Sequence, residues 1–128
     1  MRDAILIAYS TVELSNLKFY AEGVLQFDEI SETEIVHQII GDGDSYISVS
    51  KNNELFELLE LEAQRKTKSE FGEFNIFSCL FFDFFNFKKL IASIPIDRNI
   101  IVDNDHGRLI KREELLKMNS YEEFVEFY

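Results

Sequence analysis

The spacing of apolar and polar residues divides this 128-residue chain into short elements of changing period. Ala4-Ile5-Leu6-Ile7-Ala8 is an unbroken apolar run of strand length, preceded by Arg2-Asp3 and followed by Tyr9-Ser10-Thr11. A run so bounded reads as a buried first strand and is too short to be the apolar region of a secretion signal. Ser followed three residues later by Glu recurs at Ser10/Glu13, Ser31/Glu34 and Ser120/Glu123. In that spacing the hydroxyl accepts from the third helical amide and the carboxylate reaches back to the cap amide, so each pair predicts a helix start. Behind the first, Leu14, Leu17, Ala21, Val24 and Leu25 keep helical spacing to about Phe27. Behind the second, Ile35, Val36, Ile39 and Ile40 recur at one and four, with Gly41 placed to end a helix. The β-branched content of 34–40 also allows a strand there, with Gly41-Asp42-Gly43-Asp44 as a hairpin turn.

Tyr46-Ile47-Ser48-Val49-Ser50 alternates as a strand does, and Asn52 or Asn53 can cap a helix running to about Lys66 with Leu55, Leu58, Leu59 and Ala63 facing inward. On that helix Glu54, Glu57 and Glu60 make an acidic stripe, while Glu62 falls on the apolar side, where a snorkelling carboxylate is the ordinary expectation. The segment from Phe71 to Phe87 holds eight of the thirteen Phe. Apolar residues of both parities over 74–82 predict a strand covered on both faces, hence central in a sheet. Asp83 is placed to cap a helix with Phe84, Phe87, Leu90 and Ile91 on one side, ended by Pro95. Asn99 to Val102 is a further strand; Asp103-Asn104-Asp105-His106-Gly107 has turn composition and leads back through Arg108-Leu109-Ile110-Lys111 as a hairpin. A short turn over 113–118 and a terminal helix from Tyr121 close the chain. Helices alternating with strands, with a hairpin near the end, predict an α/β or α+β fold: one compact domain over 1–128, a mixed β-sheet with helices packed on it, and a C-terminal hairpin followed by a helix. No linker, repeat or low-complexity block divides it.

Charge narrows the choice of partner most. Asp and Glu number 24 against 13 Lys and Arg, a formal net of −11. Phosphate backbones are bound by cations that displace counterions, so nucleic acid is excluded as a partner and a basic protein surface is favoured. The 46% apolar content supplies a core despite that charge. No apolar run reaches the roughly 18 residues a membrane span needs. The lone Cys79, in the run Phe77 to Phe82, reads as a buried thiol, and the chain as a cytoplasmic protein.

Candidate chemistry is sparse. Asp103, Asp105 and His106 offer alternating oxygen donors beside an imidazole, enough to suggest a divalent ion and a small metal-dependent enzyme, but five turn-forming residues between two apolar runs are also what a turn alone requires. A calcium loop is disfavoured, since Arg108 stands at the sixth position, where glycine is needed. Asp42 and Asp44 pose the same question in a Gly-rich turn that lacks the Gly-Lys-Ser/Thr end of a phosphate loop. His37 reads as structural, and with no Gly-x-Ser-x-Gly the chain offers no nucleophilic triad. The reading therefore assigns no catalysis, cofactor or metal, and leaves any small-molecule ligand open. Carboxylates cluster at Asp28, Glu29, Glu32 and Glu34, at Glu54, Glu57 and Glu60, and at Glu122, Glu123 and Glu126, with Tyr46, Tyr121 and Tyr128 as candidate anchors for a partner. Glu54, Glu57, Glu60, Asp42, Asp44, Asp103 and Asp105 are the expected contact residues.

The stretch Ile100-Ile101-Val102-Asp103-Asn104-Asp105-His106-Gly107-Arg108-Leu109-Ile110, followed by a Glu-rich helix, resembles the strand–turn–strand endings of bacterial immunity proteins from polymorphic-toxin and contact-dependent inhibition systems. The resemblance covers under a fifth of the chain. It implies inhibition by occlusion, with an acidic surface docked over the basic active site of a nuclease toxin. A regulatory or adaptor interaction domain using the same surface is the alternative.

Overall fold

Five successive buried residues, Ala4 to Ala8, require cover on both faces of the first strand, β1 (Arg2–Tyr9), and two neighbours at its edges. In the structure, a computed structural model that describes residues 1–39, 45–105 and 107–127, β1 lies between β5 (Phe74–Phe81) and β6 (Ile100–Asp103). The remaining strands are β2 (Asp28–Ser31), β3 (Glu34–Ile39), β4 (Ser45–Lys51) and β7 (Leu109–Lys111), in the order β2-β3-β4-β5-β1-β6-β7. Every pairing is antiparallel, so of the two expected classes the fold is α+β, and the sheet is antiparallel where alternation of helices and strands suggested a mixed one. β5 occupies the centre, as its two-sided apolar pattern requires.

Among the described residues five α-helices accompany the sheet: α1 (Leu14–Ala21), α2 (Leu61–Phe71), α3 (Phe84–Ser93), α4 (Arg112–Leu116) and α5 (Tyr121–Val125). The main core combines Leu6, Val49, Phe77 and Phe81 from the sheet with Leu17 of α1, Phe87 and Leu90 of α3, Leu115 of α4 and Phe124 of α5. Phe81 and Phe87 stack at 5.0 Å with rings 7° apart, and Phe124 closes on Phe84 at 5.4 Å and Phe87 at 5.9 Å. Cys79 is sealed in this core, where burial pushes its thiol pKa up. Ile5, Ile7, Ile76 and Ile101 point to the opposite face and pack on Leu59, Ala63 and Phe71, so α2 and the segment before it cover that side.

Several expected helix starts move. α1 begins at Leu14 with Glu13 as its cap, Asn16 Oδ1 accepting from the Glu13 amide at 2.8 Å, and ends at Ala21, well short of Phe27. Residues 34–39, expected first as a helix capped by Ser31, form strand β3; Ser31 instead accepts from the Thr33 amide at 3.2 Å in a tight reversal from β2. The turn at 40–44 lies outside the described residues. Asp83 and Ser120 cap α3 and α5 as expected, accepting from the amides of Phe85 and Glu123. Among the described residues no helix is long and apolar enough to cross a membrane.

Candidate partner-binding surface

The helix expected over 52–66 is broken in two, and the break makes the surface. Asn52 ends the β4–β5 ladder by donating from its backbone to Ile76 O at 2.8 Å. Asn53 continues that ladder with its side chain, Oδ1 accepting from the Ile76 amide at 2.7 Å and Nδ2 donating to Asn75 Oδ1 at 3.1 Å. Asn75 is itself buried and donates onward to Val12 O at 2.9 Å. Anchored this way, Asn53–Leu58 winds as a tight 3₁₀ turn, capped by Asn52 Oδ1 on the Glu54 amide, before Leu59 becomes extended at φ −70°, ψ 153° and drops into the core. α2 then restarts at Leu61.

Side chains three apart eclipse in a 3₁₀ turn, so Glu54 and Glu57 share a line although they do not belong to one α-helix with Glu60. All three are exposed. Leu58, expected to face inward, instead stands 80% exposed, and Leu61 76%. Two leucines almost fully in water thus stand three positions apart in a stretch whose Glu54, Glu57, Glu60 and Glu62 are also exposed. Leu55 is half-buried and Ala63 buried, both in the cluster around Leu59. Glu62 is exposed and pairs with Arg65 at 3.2 Å, so it does not sit on the apolar side.

Glu60 also connects two stretches distant in sequence. Its Cγ lies so close to Gly107, in the β6–β7 turn, that a Cβ there would come within 2.8 Å, and Gly107 holds φ +81°. Glu60 and Gly107 are thereby neighbours, and Lys66 and Arg108 line the groove beside them together with Glu62.

Within that turn the acids have separate duties. Asp103 is only 2% exposed and its Oδ1 accepts from the Asp105 amide at 2.7 Å, so it does not belong with the exposed contact residues expected from the sequence. Asp105 is exposed and takes φ +61°, a left-handed conformation that Asp tolerates through such local bonding. Asn104, fully buried, accepts from the Arg108 amide at 3.3 Å and donates to Phe124 O at 3.0 Å, fastening the hairpin to α5. Asn104→Ala leaves that carbonyl without its donor and is expected to cost about 1–3 kcal/mol, read as a lowered urea midpoint with unchanged slope. A stability within a few tenths of wild type would show that the hairpin does not depend on this clamp.

Asp42, Asp44, His106 and Tyr128 lie outside the described residues. Among the described residues no three of His, Cys, Asp and Glu converge as ligands would. His37 is buried on β3 with Nδ1 3.0 Å from Gln26 O and its ring on Phe27, a structural placement. The other acidic clusters occupy the sheet edge at β2, where Lys18 approaches Glu29 at 3.6 Å, and the outer side of α5. Tyr46 and Tyr121 are half-buried against aromatic neighbours, and Tyr121 lies under the Arg2 guanidinium at 4.7 Å. Comparison of the chain with known protein families, curated proteins and solved structures finds no match.

Proposed function

We propose that this chain is a non-enzymatic binding domain of the immunity type, which neutralises a basic partner, a nuclease toxin domain, by docking the Leu58/Leu61 corner and its carboxylates over the partner's cationic active site. The observation that supports this most is the pair of leucines at 80% and 76% exposure in a stretch that also exposes Glu54, Glu57, Glu60 and Glu62. Exposed aliphatic side chains give docking energy once water is excluded, and the surrounding carboxylates steer a cationic surface toward them and reject nucleic acid. Carboxylates at the corner would take the place of substrate phosphate, so inhibition needs no chemistry from this chain. Asp105, joined to the corner through Glu60 and Gly107, extends the contact to the hairpin turn.

The test is co-expression with the product of the adjacent gene. The reading expects a one-to-one complex with a basic, growth-inhibiting protein, loss of its toxicity, and affinity that falls as salt rises. A neighbour that is not toxic, or a toxin whose activity this chain leaves intact, would overturn it.

A further inference from the structure

One cleft on this acidic chain gathers cations as well as carboxylates. At the end of the sheet where β6 begins and β7 ends, an open cleft of about 660 Å³ separates the two helix layers, reached by Glu70 of α2 from one side and by Ala92 of α3 and Leu116 of α4 from the other. Three cations, Arg98, Lys111 and Arg112, line it together with Glu70 and Glu113. The groove between α1 and β2 shows the contrast, with Glu22, Asp28 and Glu29 against Lys18 alone. None of the three cations has a carboxylate within ion-pair distance among the described residues.

Arg112 is held in place. Its Nη1 donates to Ile94 O and its Nη2 to Arg98 O, both at 2.6 Å, so the guanidinium clasps the loop after α3 by its carbonyls. Two of its five N–H groups are used there, and the planar fork has donors left for an anion. Desolvation by burial lowers its pKa, an effect partly offset by the negative charges of Glu113 and Asp97. Arg98 and Lys111 are exposed and free to close on a ligand. Ile100 and Leu116 give the cleft an apolar wall, and Ile96, 93% exposed, stands at its lip. Size, apolar lining and a few convergent polar groups are the features of a small-molecule site.

We infer that this cleft binds a small amphiphilic anion, a carboxylate or phosphate monoester carrying an aliphatic body, with the charged head between Arg98, Lys111 and Arg112 and the body against Ile100, Leu116 and Ile96. The head and the body are both required, since the apolar wall has no use for inorganic phosphate and the cations none for a neutral alcohol.

The full chain is titrated with octanoate, mono-octyl phosphate, inorganic phosphate and 1-octanol, following amide and methyl NMR signals of Ile96, Ile100 and Leu116. Saturable shifts are expected with octanoate or octyl phosphate, at affinity about tenfold or more above phosphate and octanol. The stronger of the two anions identifies the head group as carboxylate or phosphate. The double substitution Arg98→Glu with Lys111→Glu, at exposed positions that leave the Arg112 clasp in place, is expected to weaken binding about tenfold or more, while Glu32→Lys, exposed in the β2–β3 turn, leaves it unchanged. Thermal melting confirms that both variants remain folded. Absence of saturable binding by either alkyl anion, octanol binding as well as the anions, or a double variant that binds like wild type would overturn the inference.

Discussion

Phe87→Ala is expected to lower folding stability by about 3–5 kcal/mol, a large share of the roughly 5–15 kcal/mol that holds a domain of this size together. Phe87 has no exposed surface, stacks face to face on Phe81 across the sheet–helix interface, and meets Phe84 and Phe124 at its edges. Truncation removes the shared partner of three other rings, and the cavity cannot be filled by a small shift because α3 is tied at its start by the Asp83 cap. The cost therefore includes both lost transfer free energy and lost packing. Phe85, two positions earlier and 53% exposed, supplies the control: its alanine variant should stay within about 0.5 kcal/mol of wild type. Urea unfolding of the two variants checks both. Equal midpoints would mean that the aromatic cluster does not dominate the core.

Reversing the charge of the corner, with Glu54→Lys, Glu57→Lys and Glu60→Lys together, is expected to weaken docking of a basic partner by several kcal/mol in total. Exposed rim pairs would contribute about 1 kcal/mol or less each. The larger figure is expected because the glutamates are next to Leu58 and Leu61 in the chain, and burial of those exposed leucines by a partner would strip water from them as well. Lys keeps the aliphatic stem that lies against Gly107, so the turn contact of residue 60 survives the change. Titration calorimetry at two salt concentrations reads the effect. Unchanged affinity would remove this corner from the interface and direct attention to the acids at β2 or α5.

How much of this was legible in the sequence depended on whether the signal was local. The Asp83 cap, the buried face of α3, the hairpin from Ile100 to Lys111 and the Ser120 cap each rest on neighbouring residues, and each is found. Residues 34–39 misled because β3 carries apolar groups on both sides: Ile35 and His37 face the main core while Val36 lies half-buried on the other, so an alternating strand imitates a helical one-and-four repeat. β2 had no signal at all, since its four residues are exposed and it exists only by pairing with β3. The break after Leu58 depends on Asn53 bonding to β5, over twenty residues downstream, which no window over 52–66 contains. The acidity of Glu54, Glu57 and Glu60 was readable; the exposed leucines beside them were not, because pattern alone put Leu58 inside. The cationic cleft gathers Glu70, Arg98 and Arg112 from three separate segments and left no mark on the linear chain.

The place of β1 in the sheet governs how the chain can reach this structure. Its partners come late: Ile5 sits between Ser78 of β5 and Asp103 of β6, roughly seventy and a hundred positions further along. During synthesis the first strand is therefore made well before either neighbour exists, with five consecutive apolar residues waiting for both edges and both faces to be covered. The β3–β4 hairpin can form locally, but the centre of the sheet closes only after β6 has been made. Such long loop closures make folding slow and leave β1 as the segment most exposed to mispairing on the way, so the acquisition of the native state, more than its final stability, is where this chain is vulnerable.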